Sequence, residues 1–281
     1  MSKRVLQFET LSDRRTPSAT LAGGVLTVTG TESRDAIVVT QNADGTLAVR
    51  GQTITVDGQV DPVASVNAAD VTLVRVDALG GNDRIDLRTV AVPTAVDAGK
   101  GNDVVLTGSG GGSVLGGAGN DQIRGGAGAD SLSGEAGNDV IRAGAGNDTA
   151  DGGTGNDKLF GGDGDDQLFG GDGHDVLRGE AGNDAIDGGA GNDVAFGGDG
   201  DDVIHGGSGR DKIHGGAGND DLSGDDDNDV VSGDDGDDRA DGGLGNDVVS
   251  GGRGADYVRG GGGKDHVRAG HDLGDDDGSG V

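Results

Sequence analysis

From Ala98 to Arg268 the chain repeats every nine residues without one insertion or deletion, 171 residues making 19 units. Two successive units read Gly161-Gly-Asp-Gly-Asp-Asp-Gln-Leu-Phe169 and Gly170-Gly-Asp-Gly-His-Asp-Val-Leu-Arg178. A register held this strictly is foreign to random low-complexity sequence, and it makes each unit one structural element stacked on the next. The sixth position is Asp in 18 of the 19 units, with Gly112 the exception. The eighth is always aliphatic, from Val105, Val114, Ile123, Leu132 and Ile141 to Val258 and Val267.

Composition alone would suggest disorder, since 281 residues hold 64 Gly, no Cys, no Trp and five Phe or Tyr. The period argues against that, but something other than apolar burial must help hold the fold. The formal charge of -30 repels nucleic acid and anionic membrane surfaces and attracts multivalent cations. The lack of cysteine leaves neither a disulfide framework nor a thiolate metal site. No apolar run is long enough to span a membrane, and the N-terminus lacks the apolar centre of a secretory signal peptide.

Within the unit, Gly-Gly-x-Gly-Asn/Asp-Asp is rich in residues that tolerate positive φ and reads as a tight loop. The remaining x-aliphatic-x is a minimal strand whose eighth position points one way and whose neighbours point the other. A single aliphatic row cannot bury itself. Strands of successive units must therefore face each other, which makes 18 residues one turn of a flattened, two-sheeted parallel solenoid. At about 4.8 Å per turn, 19 half-turns stack into a rod roughly 45 Å long.

The repeat resembles the calcium-binding nonapeptide of the RTX, or hemolysin-type, family over about 60% of the chain. The resemblance implies an all-β, right-handed parallel β-roll in which loops on one edge, 18 residues apart, hold calcium between them. The ligands it implies are position-six carboxylates and carbonyls of the glycine region. The donor chemistry agrees, because calcium takes six to eight oxygen ligands and these loops offer nothing but oxygen. One carboxylate ladder is Asp103, Asp121, Asp139, Asp157, Asp175, Asp193, Asp211, Asp229, Asp247 and Asp265. The other is Asp130, Asp148, Asp166, Asp184, Asp202, Asp220, Asp238 and Asp256. The implied carbonyl ligands at position two are Gly117, Gly126, Gly144, Gly153, Gly162, Gly171, Gly189, Gly198, Gly207, Gly216 and Gly243. Those at position four are Gly119, Gly128, Gly146, Gly155, Gly164, Gly173, Gly191, Gly200, Gly209, Gly218 and Gly245.

Nine gaps in the first ladder and seven in the second leave room for about 16 ions. The repeat tract carries 35 acidic and 12 basic residues, so divalent ions in that number would turn self-repulsion into attraction. One aliphatic side chain per nine residues is little burial against the ordering of glycine loops, so the metal-free chain is expected to be disordered and metal binding to be the folding event. Sites of extracellular modules bind at about 10⁻⁴ to 10⁻³ M calcium, above cytosolic levels, which makes folding wait for export.

Residues 24–97 alternate in β-like bursts, such as Val25-Leu-Thr-Val-Thr29, Ala36-Ile-Val-Val-Thr40 and Val71-Thr-Leu-Val-Arg-Val76, and are read as wider solenoid turns forming an N-terminal cap. Gly81-Asn-Asp83-Arg-Ile85 is an isolated copy of the loop-strand signature. Residues 1–23 are read as a leader or disordered tail, Phe8-Glu-Thr-Leu-Ser-Asp-Arg-Arg15 being similar to a short Phe-Glu-x-Leu-x-x-Arg leader of some bacterial surface and exported proteins. Residues 269–281 form an acidic tail where the family carries a longer export signal.

The histidines do not converge. His205 and His214 take position nine of consecutive units and fall on opposite sheets, and His174 replaces Asn or Asp at position five; His266 and His271 have no partner in the pattern. Phe160 and Phe196 share an outward column with Arg178 between them, a stripe of the kind a partner or glycan docks on. Ala150, Ala195 and Ala240 occupy core positions as weak points of packing. The 97 residues before the tract carry neither His-Glu-x-x-His nor Gly-x-Ser-x-Gly, and long apolar helices are absent. The expected protein is a monomeric, secreted or cell-surface calcium-binding module with a structural or adhesive role and no enzymatic activity. The alternative is the calcium-dependent folding or export part of a secreted enzyme or toxin system.

Overall fold

The computed structural model describes residues 17–50, 54–56 and 63–270. It is an all-β solenoid of about 11 turns with about 18 residues per turn, as the nonapeptide period requires. Strands alternate between two 14-stranded sheets, so consecutive units face each other across the core. Within each sheet the pairing is parallel and in register from one turn to the next, as in Gln122↔Val140, Ile123↔Ile141 and Arg124↔Arg142. Among the described residues no helix is long and apolar enough to cross a membrane; the one helical element is a 3-10 turn, Ala68–Asp70.

The eighth-position column forms the core, fully buried at Leu159, Leu168, Leu177 and Ile213 and equally so at Ala150 and Ala240. It opens at the C-terminal end, where Val267 is 44% exposed because no further described turn stacks on it. The strands are longer than the expected three residues through most of the tract. Gln122–Ala127 and Lys158–Asp163 take in positions one to three of the next unit, so only positions four to six form the loop. Glycine makes this extension feasible, since a Cβ at Gly144 would collide with the Gly126 oxygen one turn back. From Val203–His205 onward the first sheet reverts to three-residue strands.

The cap corrects two expectations. Its first strand, Ser18–Ala22, lies inside the segment read as a leader or tail, and Gly23-Gly24, both at positive φ, turn it into an antiparallel hairpin with Val25–Thr31. Wider turns are present, with register steps Leu26↔Val74 and Val76↔Val96, but Ala36–Gln41 also pairs antiparallel with Thr46–Val49. Such hairpins cover the edges and end of a parallel stack that would otherwise expose its core. The leader-like motif at residues 8–15, the tail from 271 and His271 lie outside the described residues.

Candidate metal centre

Positions four to six of each unit form the rim of the solenoid, one ladder of loops along each edge. The chain approaches the loop through a residue in the left-handed region at position two and enters it through another at position four, as at Gly171 (φ 98°) and Gly173 (φ 151°). All the glycines expected as ligands have positive φ. The backbone keeps this shape where the sequence does not supply glycine, at Glu135 (φ 69°), Glu180 (φ 79°) and Asp234 (φ 76°).

Position-six carboxylates turn inward. From Asp103 to Asp247 every one is buried, while Asp256 and Asp265 at the open end are partly exposed. Except at Asp130, Oδ1 accepts a hydrogen bond from the backbone N–H of the aspartate one turn back: Asp103 N–H to Asp121 at 2.7 Å, Asp148 N–H to Asp166 at 2.8 Å, Asp193 N–H to Asp211 at 2.8 Å. The other oxygen, Oδ2, is buried without a partner at every expected ligand except Asp265. At Asp130, one turn on from Gly112, neither oxygen has a hydrogen-bond partner.

Position five runs a second ladder in the opposite sense. The backbone N–H of Asn138 donates to Asn120 Oδ1 at 2.7 Å, and that of Asn120 to Asn102 Oδ1 at 2.7 Å. His174 joins it through Nδ1, which accepts from the Asn192 N–H at 2.8 Å. Sequence reading missed this role, although the run of short acceptors at position five is its visible signal.

Burial is the first cause of the ladder's electrostatics. It raises the carboxylate pKa to about 7 at Asp121, Asp166, Asp193, Asp202 and Asp229, against a lowering by the backbone hydrogen bond and with a further raise from the aspartates one turn away. Among the described residues no ion pair involves a ladder carboxylate. The ion pairs among the described residues lie on outward carboxylates, such as Arg239 with Asp221 and Arg253 with Asp235. A buried carboxylate oxygen without a donor is costly, and protonation or a bound cation are the two remedies open to it.

The residues fit a hard cation. In units that begin with glycine Oδ2 lies against that residue: a Cβ on Gly152 would sit 2.5 Å from Asp157 Oδ2 and 2.6 Å from the Gly170 carbonyl oxygen one turn on. Carboxylate and carbonyl oxygens thus converge from adjacent turns. Among the described residues no three His, Cys, Asp or Glu side chains cluster as a ligand set; the other oxygen atoms beside the carboxylates are loop carbonyls. Position-two carbonyls already accept ladder hydrogen bonds, as Gly189 does from Ser208 N–H and Gly207 from Asp226 N–H. A carbonyl has a second lone pair for a metal.

The remaining side chains singled out in the sequence lie on the outer faces. In the second sheet Arg124, Arg142, Phe160, Arg178, Phe196 and His214 form one column. Arg142 and Arg178 lie over the Phe160 and Phe196 rings at 4.7 and 4.8 Å, and Phe196 stacks on His214 at 5.3 Å. His205 belongs to the other sheet, where its Nδ1 is 3.2 Å from Asp225.

The family model described as the RTX calcium-binding nonapeptide repeat, which spans four copies, matches residues 115–150, 142–177, 160–195, 196–231 and 232–267, more than half of the chain. No curated protein matches it.

Proposed function

The chain belongs to the RTX calcium-binding nonapeptide-repeat family, and on that premise we propose that it is a secreted β-roll folded by the calcium it binds, with a structural or adhesive role outside the cell. The observation that carries this reading is the pair of ladders of buried aspartates whose Oδ2 atoms have no partner. Calcium bound at each step supplies the charge that those oxygens lack. The position-six carboxylates from Asp103 to Asp265, together with loop carbonyls of the glycine positions, are the ligands in this reading, and about 16 ions fill the two edges.

Each ion held at ten times its dissociation constant adds about 1.4 kcal/mol to the folded state, so an array of sites makes folding steeply calcium-dependent. Affinities of about 10⁻⁴ to 10⁻³ M would leave the chain unfolded in the cytosol and folded outside. The module acts as a monomer, and no catalytic role is assigned to it.

Far-UV circular dichroism during a calcium titration from chelator to about 10 mM, with magnesium as control, tests the proposal. A cooperative coil-to-β transition with calcium and not with magnesium is expected. An unchanged spectrum would show that the aspartate ladders are not a calcium cage.

A further inference from the structure

The nonapeptide tract begins at Ala98 and the family match at residue 115, yet the same loop is built again in the cap. Asp83 is 2% exposed. Its Oδ1 accepts from the Asp35 N–H at 2.6 Å, and its own N–H donates to Asp103 Oδ1 at 2.6 Å. Asp83 Oδ2 has no partner, and neither does Asp103 Oδ2 one turn on.

The backbone follows suit. Leu79 (φ 74°) and Gly81 (φ 128°) repeat the conformations of Gly99 (φ 91°) and Gly101 (φ 131°). Gly81 N–H donates to the Lys100 carbonyl at 2.7 Å, as Gly101 N–H does to Ala118. The turn between these loops is 20 residues long, and its two extra residues fall between Arg84–Asp86 and Thr94–Asp97, on the opposite edge of the solenoid. The aspartate edge therefore keeps its geometry while the other edge absorbs the change in length.

Asp35, one turn further out, is different. Its Oδ2 accepts from the Thr31 N–H at 2.6 Å and the Thr31 hydroxyl at 3.0 Å. The outermost carboxylate is thus satisfied by donors of its own chain, whereas Asp83 is not.

Building on the calcium reading of the roll, the geometry points to an additional calcium site between the loops of Asp83 and Asp103, outside the nonapeptide tract, that clasps the N-terminal cap to the roll, with Thr31 ending the array at Asp35. The donors there are the unpartnered carboxylate oxygens and loop carbonyls, an all-oxygen set suited to a hard cation. A cap joined in this way orders only when the roll is loaded, and it protects the first repeat from fraying.

The test counts calcium bound per full-length chain by equilibrium dialysis, alongside hydrogen exchange in saturating calcium. The variants are Asp83→Asn, Asp83→Ser, Asp35→Asn and, within the tract, Asp157→Asn. Both Asp83 variants should bind fewer ions than the parent chain, Asp35→Asn as many, and Asp157→Asn fewer. Amides of Leu73–Leu79 and Arg84–Asp86 should exchange about tenfold faster in the Asp83 variants, with those of Lys158–Asp163 unchanged. The serine variant keeps a small acceptor for the Asp35 N–H, so loss of the ion is separated from loss of that hydrogen bond. An undiminished count in both Asp83 variants beside a diminished one in Asp157→Asn would overturn the cap site and leave the calcium roll standing. A parent chain that binds no calcium would remove both.

Discussion

Asp175 accepts a hydrogen bond through Oδ1 from the backbone N–H of Asp157, one turn back, at 2.8 Å, while its Oδ2 is buried with no partner. One side chain thus does two things: it ties two turns together as a neutral amide would, and it holds a charge that only a proton or a cation can offset. Substitution separates the two. Asp175→Asn keeps an acceptor for Asp157 and deletes the charge, so the calcium concentration at the folding midpoint should rise. Asp175→Ala also orphans the Asp157 N–H, which costs about 1–3 kcal/mol more. Calcium titrations and urea unfolding of the two variants check this; equal effects would mean that the hydrogen bond has no separate role.

Glycine at position four answers to a close approach between turns. A Cβ on Gly173 would collide with the Gly155 carbonyl oxygen, at φ 151°. Gly173→Ala should therefore destabilise the calcium-loaded protein by about 2 kcal/mol or more. Glu180 occupies a left-handed position (φ 79°) without being glycine, so Glu180→Gly should stabilise by up to about 1 kcal/mol. Urea midpoints in saturating calcium give both values, and stabilisation by the alanine would contradict the geometry.

His174 stands in the position-five ladder as an acceptor, with Nδ1 receiving the Asn192 N–H. His174→Asn should be nearly neutral, as it restores the acceptor used by Asn120 and Asn138. His174→Ala should cost about 1 kcal/mol. Thermal unfolding of the pair distinguishes a ladder member from a functional histidine, for which asparagine and alanine would be equally harmful.

The ladder's raised pKa values set the pH response of the metal-free chain. With folded-state values of about 7 at Asp193 and Asp202 against an ordinary value of 3.8, the folded form binds more protons than the unfolded form. These groups favour folding fully below the ordinary value, and that contribution is lost as pH rises through about 7. In chelator, β structure seen by circular dichroism should therefore grow as pH is lowered from 7.5 toward 5. A signal that shrinks instead would mean that the ladder carboxylates are not buried as described.

Periodicity made much of this legible in advance. The eighth-position aliphatic column, the 18-residue turn and the two sheets follow from a repeat that can bury its single apolar row only by facing its neighbour. Strand length was not legible, because glycine at positions one and two signals a loop in isolation, whereas stacked turns keep their ladder bonds across it. The cap was read as wider turns alone, since the Gly23-Gly24 hairpin signal lies beside apolar bursts that read equally well as parallel strands. Asp35 went unnoticed because it stands 48 residues before Asp83, although Asp35-Ala-Ile37 carries the same spacing of Asp and aliphatic residue as each repeat.

The sequence by itself determined the repeat unit, its core column, the two aspartate rows and the oxygen-only chemistry of the loops, because each depends on residue type at a fixed period. Tertiary structure decided which oxygen of each carboxylate is used and which is left over, and that Asp83 joins the row while Thr31 closes it. The use of the carboxylate oxygens and the joining of Asp83 depend on hydrogen bonds between residues 18 or 20 apart, which exist only once one turn lies on the next, and the closing of the row depends on the local contact between Thr31 and Asp35.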